Sequence, residues 1–164
     1  MGKVEKIRAV AITISDRCSR GEAEDVSGAV LLECLSEIGA EVIGKIIVSD
    51  DFAALVEVLK SQAERAEVNI IVTTGGTGFA PRDNTPEATR AVIEREANGL
   101  SEAMRFESLQ KTPTAMLSRA VCGIRGTTLI INLPGSPKAV RECFDVIKTV
   151  LPHAVNLLSG NTQH

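Results

Sequence analysis

The chain has 164 residues, enough for one domain that buries roughly 70% of the surface its unfolded form exposes. Hydrophobic residues make up 44% and charged residues 24%, as in an ordinary soluble globular protein, and the net charge is −3. With no Trp or Tyr, four Phe and an acidic balance, the composition argues against nucleic-acid binding, which leans on aromatic stacking and basic faces.

The four cysteines, Cys18, Cys34, Cys122 and Cys143, form no Cys-x-x-Cys, and the two histidines, His153 and His164, both come late. No zinc-ligand spacing can be built from them. Cys34 and Cys143 fall on apolar helical stripes and read as core thiols in a reducing compartment. The start is charged and no apolar run approaches the ~20 residues of a membrane span, so the expected location is cytoplasmic, with no membrane partner.

In chain order, residues 7–14 read as a buried strand ending in Ser15-Asp16-Arg17, and 17–25 as a loop. A helix follows from Asp25, with Leu31, Leu35 and Ile38 on one face and Gly39 past its end. A second strand over 42–48 closes on Ser49, Asp50 and Asp51. The next helix sets Phe52, Leu55, Val56, Leu59 and Ala63 on one face. Residues 68–72 are almost wholly apolar and form the third strand. Beyond it lie Thr73, Thr74, Gly75, Gly76, Thr77 and Gly78, then Arg82 and Asp83, and Thr85-Pro86 in the form of an N-cap and first helical residue. That helix is expected to reach 96.

Residues 97–119 are harder to place. Leu100, Met104 and Phe106 suggest one helix, and Pro113 opens a shorter one to 119. A short strand over 121–124 turns at Arg125-Gly126 into a buried strand over 127–133, broken by Pro134-Gly135-Ser136-Pro137. A long helix carries Val140, Cys143, Phe144, Ile147 and Leu151 on one face, and Pro152 kinks or restarts it. Alternating strands and helices predict a single three-layer α/β/α domain with a mostly parallel central sheet and room for a short antiparallel edge hairpin.

A parallel sheet brings the carboxyl ends of its strands to one edge. Collected there are Ser15 and Asp16, Asp50 and Asp51, residues 73–83, and the 134–138 corner, with Arg82 and Lys138 as the cations. No nucleophile–base pair is placed among them. Glycines 75, 76 and 78 suit either an anion-binding backbone loop or a plain strand-to-helix turn. Carboxylates, hydroxyls and bare backbone suit phosphate chemistry assisted by Mg²⁺, which takes one or two carboxylates plus phosphate oxygens. Asp50 fits that role or a helix cap, with a one-residue ambiguity against Asp51, which reads as the cap. Asp83 is open between a metal ligand, an ion pair with Arg82 and a turn residue. The 134–137 segment is a rigid corner, or with Lys138 at a helix start the neighbour of an anion. A Walker A loop is excluded because no lysine follows the glycines, and Gly76-x-Gly78 does not complete the dinucleotide fingerprint.

Four ordered blocks then carry a resemblance: Thr73-Thr-Gly-Gly-Thr-Gly78, Arg82-Asp-x-Thr-Pro-Glu-Ala88, Pro113-Thr-Ala-Met-Leu-Ser-Arg119 and Asn132-Leu-Pro-Gly-Ser-Pro-Lys138. In these the chain closely resembles the molybdopterin adenylyltransferases of molybdenum-cofactor synthesis, the Mog/MoaB family and the G domain of gephyrin-like proteins. The resemblance runs from Ser15-Asp16 to the last helix. It implies that ATP and molybdopterin give adenylyl-molybdopterin and pyrophosphate with Mg²⁺. It implies Asp50 and Asp83 as catalytic and metal-holding residues. Thr74, Gly75, Gly76, Thr77, Gly78, Pro134 and Gly135 would meet the nucleotide. Ser15, Asp16, Asp25, Ser27, Gly28, Ser118, Arg119, Ser136, Pro137 and Lys138 would meet the pterin. A homotrimer, with a hexamer as the alternative, and a molybdate-inserting partner protein are implied as well. MoaB-like members depart from the Arg-Asp-x-Thr-Pro pattern and bind without transfer, but Arg82, Asp83, Thr85 and Pro86 are all present here. The runner-up is a molybdopterin-binding or scaffold protein without transferase activity. A nucleotide-pyrophosphate hydrolase of the competence-damage type stands third.

Overall fold

The computed structural model describes residues 5–162, so His164 lies outside them. In order the elements are β1 (Arg8–Ile14), a helical turn α1 (Asp16–Ser19), α2 (Val26–Glu37), β2 (Glu41–Val48), α3 (Phe52–Ala63), β3 (Ile70–Thr74) and α4 (Thr85–Val92). After them come β4 (Arg95–Glu96), α5 (Asn98–Leu109), a 3₁₀ turn (Pro113–Leu117), β5 (Cys122–Arg125), β6 (Thr128–Leu133), α6 (Pro137–Ile147) and α7 (Leu151–Leu158). One six-stranded sheet has the order β2-β1-β3-β6-β5-β4. Its first four strands are mutually parallel, β5 runs antiparallel to β6, and the short edge strand β4 runs antiparallel to β5.

The near-continuous apolar strands follow from burial on both faces. Successive side chains alternate: Ala9 and Ala11 pack with Leu31, Leu35, Phe144 and Leu151, while Val10, Ile12 and Ile14 pack with Leu55, Leu59, Ala88 and Val92. Helices α2, α5, α6 and α7 thus cover one face and α3 and α4 the other, which is the three-layer α/β/α fold expected. The chain leaves β1 along α2 to reach β2, then returns over the opposite face along α3 to β3 on the other side of β1. Such a reversal opens a crevice outside the carboxyl ends of the strands it separates.

Several local readings change. Residues 17–25 are not all loop, because Ser15 accepts from the Cys18 N–H and starts a short helical turn. The helix expected to reach 96 stops at Val92, where the Glu94 and Ala97 N–H groups donate instead to the carbonyls of Ile124 and Cys122 as an edge strand. Phe106 does not join the buried face of α5; it is 64% exposed, and the stripe is set by Ser101 and Met104. Phe52, the first residue of α3, is also largely exposed. Pro152 restarts the last helix: α6 ends at Ile147 and α7 carries the proline in its first turn, where no intrahelical donor is lost.

Candidate active site

The carboxyl ends of β1, β2, β3 and β6 meet at a cavity of 540 Å³, within the size of small-molecule sites. Ser15, Asp25, Ser27, Asp50, Gly75, Gly76, Asp83, Gly135 and Pro137 line it, together with Glu24 and Cys18. Its ionisable wall is acidic: Glu24, Asp25, Asp50 and Asp83 border it, and no Lys, Arg or His among the described residues does.

The glycine loop has the backbone geometry that the cavity needs. Gly75 and Gly76 have φ of +106° and +67°, conformations that side chains disfavour. A Cβ on Gly75 would overlap the Ile14 carbonyl oxygen, and one on Gly76 would overlap Thr85 Oγ1. That hydroxyl explains why Thr85 is not the N-cap. It is buried and donates to the Gly75 carbonyl at 2.9 Å, so Asn84 takes the cap position without a side-chain bond. Thr74 is not on the wall of this cavity; its hydroxyl donates to the Pro134 carbonyl at 2.7 Å and ties the end of β3 to the corner after β6. Gly135 sits against the same loop, and a Cβ there would meet the Gly75 Cα at an ordinary contact distance of 3.4 Å.

The two adjacent aspartates separate cleanly. Asp51 accepts from the Ala54 N–H at 2.9 Å and caps α3, whereas Asp50 faces the cavity. Asp50 and Asp16 exchange backbone-to-carboxylate bonds, Asp16 N to Asp50 Oδ2 at 2.9 Å and Asp50 N to Asp16 Oδ1 at 3.1 Å. Arg82 then grips Asp16 bidentately, at 2.6 and 3.0 Å, rather than pairing with Asp83. The Arg82 hydrogen bonds hold the Asp16 carboxyl below its ordinary range. Burial pushes Asp50 the other way, and the nearby charges of Asp16 and Asp83 add to the rise. Asp83 closes a turn, accepting from the Ala80 N–H at 3.0 Å while its own N–H donates to the Ala80 carbonyl. This turn leaves the Asp83 carboxylate on the cavity wall.

Asp25 caps α2 through the Gly28 N–H at 2.9 Å and accepts from Thr13 Oγ1 at 2.8 Å. A Cβ on Gly28 would collide with that carboxylate. Ser136 caps α6 in the same way, accepting from the Ala139 N–H. The first turns of α2 and α6, at Val26, Ser27 and Pro137, therefore border the cavity with their positive dipole ends. Lys138 does not: it is 84% exposed and lies toward Glu142 at 3.9 Å. With Arg82 bound to Asp16, neither expected cation borders the cavity.

Thr77, Gly78, Ser118 and Pro134 instead line a second cavity of 250 Å³ between α5, the 3₁₀ turn and α6. Its walls add Ser101, Met104, Arg105 and Ser108 from α5, with Thr112, Thr114, Ala115, Leu117, Ala120, Asn132, Ala139 and Cys143. Sequence reasoning missed most of these. A signal was present, since 101, 104, 105 and 108 follow the i, i+3, i+4, i+7 rule, and serines interrupt a face that a plain core would keep apolar. Asn132 is buried, accepts from the Val121 N–H and donates to Thr73 and Thr89, which locks three elements behind the cavity. Burial pushes the Cys143 and Cys34 thiols up and the Cys122 thiol up to about 12, in keeping with core cysteines.

Residues 10–153 match the family model for the probable molybdopterin binding domain of molybdenum-cofactor biosynthesis. The chain belongs to that family. Among its relatives, the molybdopterin adenylyltransferase of Helicobacter pylori strain J99 is 41% identical over 96% of this chain and 91% of its own length. The Drosophila melanogaster molybdenum cofactor synthesis protein cinnamon is 48% identical over 96% of this chain, which spans only 26% of that longer protein. The fold matches the crystal structure of the molybdopterin biosynthesis enzyme MoaB from Thermus thermophilus, with TM-score 0.88 and 47% identity over 94% of this chain and 97% of that one. Each of the four blocks that carried the resemblance contributes residues to one or both cavities. Among the described residues no helix is long and apolar enough to cross a membrane.

Proposed function

We propose that the protein is a Mg²⁺-dependent molybdopterin adenylyltransferase. The observation that carries this reading is the acidic cavity bordered by Asp50, Asp83, two helix N-termini and bare glycine backbone, with no basic side chain among the described residues. Backbone N–H groups and helix dipoles attract phosphates, whereas four carboxylates repel them. The two tendencies are reconciled if the polyphosphate arrives with a divalent cation held between its oxygens and one or two of the carboxylates. Asp50 and Asp83 would hold Mg²⁺, and the ion would supply neutralisation of charge on the reacting phosphates.

The transfer needs no protein nucleophile. A terminal phosphate oxygen of molybdopterin attacks the α-phosphorus of ATP, the new P–O bond forms, and the bond to pyrophosphate breaks. The chain's contribution is placement. Gly75, Gly76 and the first turns of α2 and α6 orient the polyphosphate, with Ser15, Ser27 and Gly135 on the same wall. Asp16 keeps Asp50 facing inward through the reciprocal bonds described above. The second cavity, largely apolar with the hydroxyls of Ser101, Ser108 and Ser118 and the charged Arg105 and Glu142 on its wall, suits the flat heterocycle of the pterin. Thr77, Gly78 and Pro134 on its wall would then face the pterin. Trimerisation, a cytoplasmic location and hand-over of the product to a molybdate-inserting partner belong to the same proposal.

Support also comes from relatives of nearly the same length that carry the transferase name. The test incubates purified protein with Mg-ATP and molybdopterin and follows AMP transfer to the pterin. Formation of adenylyl-molybdopterin with release of pyrophosphate is expected. Binding of molybdopterin without any adenylylated product would sink the transferase reading in favour of a binding protein.

A further inference from the structure

Arg119 looks at first like one more ligand to an anion, but all three of its side-chain nitrogens are engaged inside the protein. Nε donates to the Gly78 carbonyl at 2.8 Å, and one terminal nitrogen donates to the Asp83 carbonyl at 2.7 Å. The other pairs with Glu87 on α4. Its backbone N–H also donates to the Thr77 carbonyl at 2.8 Å. The two carbonyls gripped by the guanidinium belong to the first and last residues of the exposed segment 78–83. Between them the segment is tied by the reciprocal Ala80–Asp83 bonds and, through Arg82, to Asp16. The residue before Arg119, Ser118, lies on the wall of the apolar cavity, as do Thr77 and Gly78.

We propose that Arg119 is a positioning residue that sets the place of the Asp83 carboxylate and couples the two cavities. The planar fork spans two carbonyls and a carboxylate at fixed separation, which a single ammonium cannot do. A ligand that orders the 3₁₀ turn and Ser118 therefore also orders segment 78–83, so filling the apolar cavity prepares the charged one. This inference rests on the two-cavity transferase reading for its functional meaning, but its structural core can be tested without turnover.

The experiment compares amide hydrogen exchange in the wild-type chain, Arg119→Gln and Arg119→Lys, with thermal melting to show that each is folded. Exchange across 78–84 should speed up about tenfold in Arg119→Gln, as when a charge-assisted tie against local opening is lost, with β1 and β3 unchanged. Arg119→Lys should not restore it. Molybdopterin alone should slow exchange across 78–84 in the wild type and fail to do so in either variant. In turnover, kcat should fall while the KM for molybdopterin stays near wild type. Unchanged exchange across 78–84 would overturn the inference, and so would a raised molybdopterin KM with wild-type exchange, which would make Arg119 a direct ligand contact. If Arg119→Gln does not fold, Glu87→Gln removes one anchor only and should show a smaller acceleration in the same segment; no acceleration there is equally fatal. Wild-type protein that never transfers AMP would sink the transferase reading, while the ligand-free exchange comparison still decides the role of Arg119.

Discussion

The two cavities share one sheet edge but are built from opposite chemistries. The larger is bordered by four carboxylates and the open backbone of the β3–α4 and β6–α6 connections. The smaller is walled by Met104, Leu117, Ala115, Ala139 and Pro134, with hydroxyls around them and with Arg105 and Glu142 as its charged members. The difference teaches that the larger cavity has no lysine or arginine among its described lining residues. Both expected cations are turned to other work: Arg82 orders Asp16, and Lys138 lies out in solvent. On the proposed reading, a site of this kind would favour a polyphosphate only with its cation, so that charge balance would be reached at the moment of binding. The smaller cavity, apolar beside Arg105 and Glu142, would carry no such requirement, so on the same proposal the two substrates would be recognised by separate rules and joined at the loop between Gly78 and Asp83.

The comparison breaks most sharply at the carboxylates. Asp83→Asn keeps the shape and the acceptor for the Ala80 N–H but loses the charge. It should cost the transition state ~3 kcal/mol, or about two orders of magnitude in AMP-transfer rate, with little change in the urea midpoint. Near wild-type turnover would reduce Asp83 to a turn residue. Asp50→Asn should lose comparable activity yet gain thermal stability in metal-free buffer. Burial, with the charges of Asp16 and Asp83, raises its carboxyl above the ordinary range, so the native state binds the proton more tightly than the unfolded one. Stability from this group is then greatest below the unfolded pKa and falls as pH rises through the folded value. At neutral pH the ionised Asp50 is a destabilising charge that asparagine removes. The gain in Tm should shrink as pH is lowered; a loss of Tm at neutral pH would show that the Asp16 hydrogen bond outweighs the burial of the charge.

The apolar side is sharpened by Ala139→Leu, which adds volume from the first turn of α6 into the smaller cavity. Molybdopterin affinity should weaken roughly tenfold, the effect of ~1.4 kcal/mol, while Mg-ATP affinity measured by calorimetry stays unchanged. Equal loss of both ligands would mean that the two recognition rules are not separate.

Much of this division could be read before the structure, and the parts that could not share a cause. Strands of uniform apolar character, the glycines after β3 and the proline corner after β6 are local signals, and they put Asp50, Asp83 and the backbone loops at one edge. The direction in which a polar side chain points is not local. Thr85 has the form of a helix cap, yet its hydroxyl is drawn inward by the carbonyl that Gly75 leaves without a strand partner. Arg82 follows the same logic, passing its sequence neighbour Asp83 for Asp16, which lies far away along the chain. The second cavity was hidden because Met104 and Cys143 carry ordinary core patterning. Only the serines at 101 and 108 betray a face that is not simply packed. The partition of these residues between the two cavities therefore needed three-dimensional contacts, not motifs.

The smallest expected effect tests the assignment of the adjacent aspartates. Asp51 borders neither cavity, and its carboxylate satisfies the Ala54 N–H at the start of α3. Asp51→Ala should cost ~1 kcal/mol of folding stability, the usual loss of a helix cap, and leave Mg²⁺-dependent AMP transfer at the wild-type level. That is the inverse of the pattern expected for Asp50→Asn, which gives up activity and gains stability. The inversion follows from what each carboxylate faces: Asp51 meets a free helix N–H that wants an acceptor, whereas Asp50 meets other acids across a cavity where, on the proposed reading, a cation would settle the charge. If Asp51→Ala lost Mg²⁺-dependent turnover while remaining folded, the two aspartates would have to exchange roles, and the acidic cavity would lose the residue that gives it its purpose.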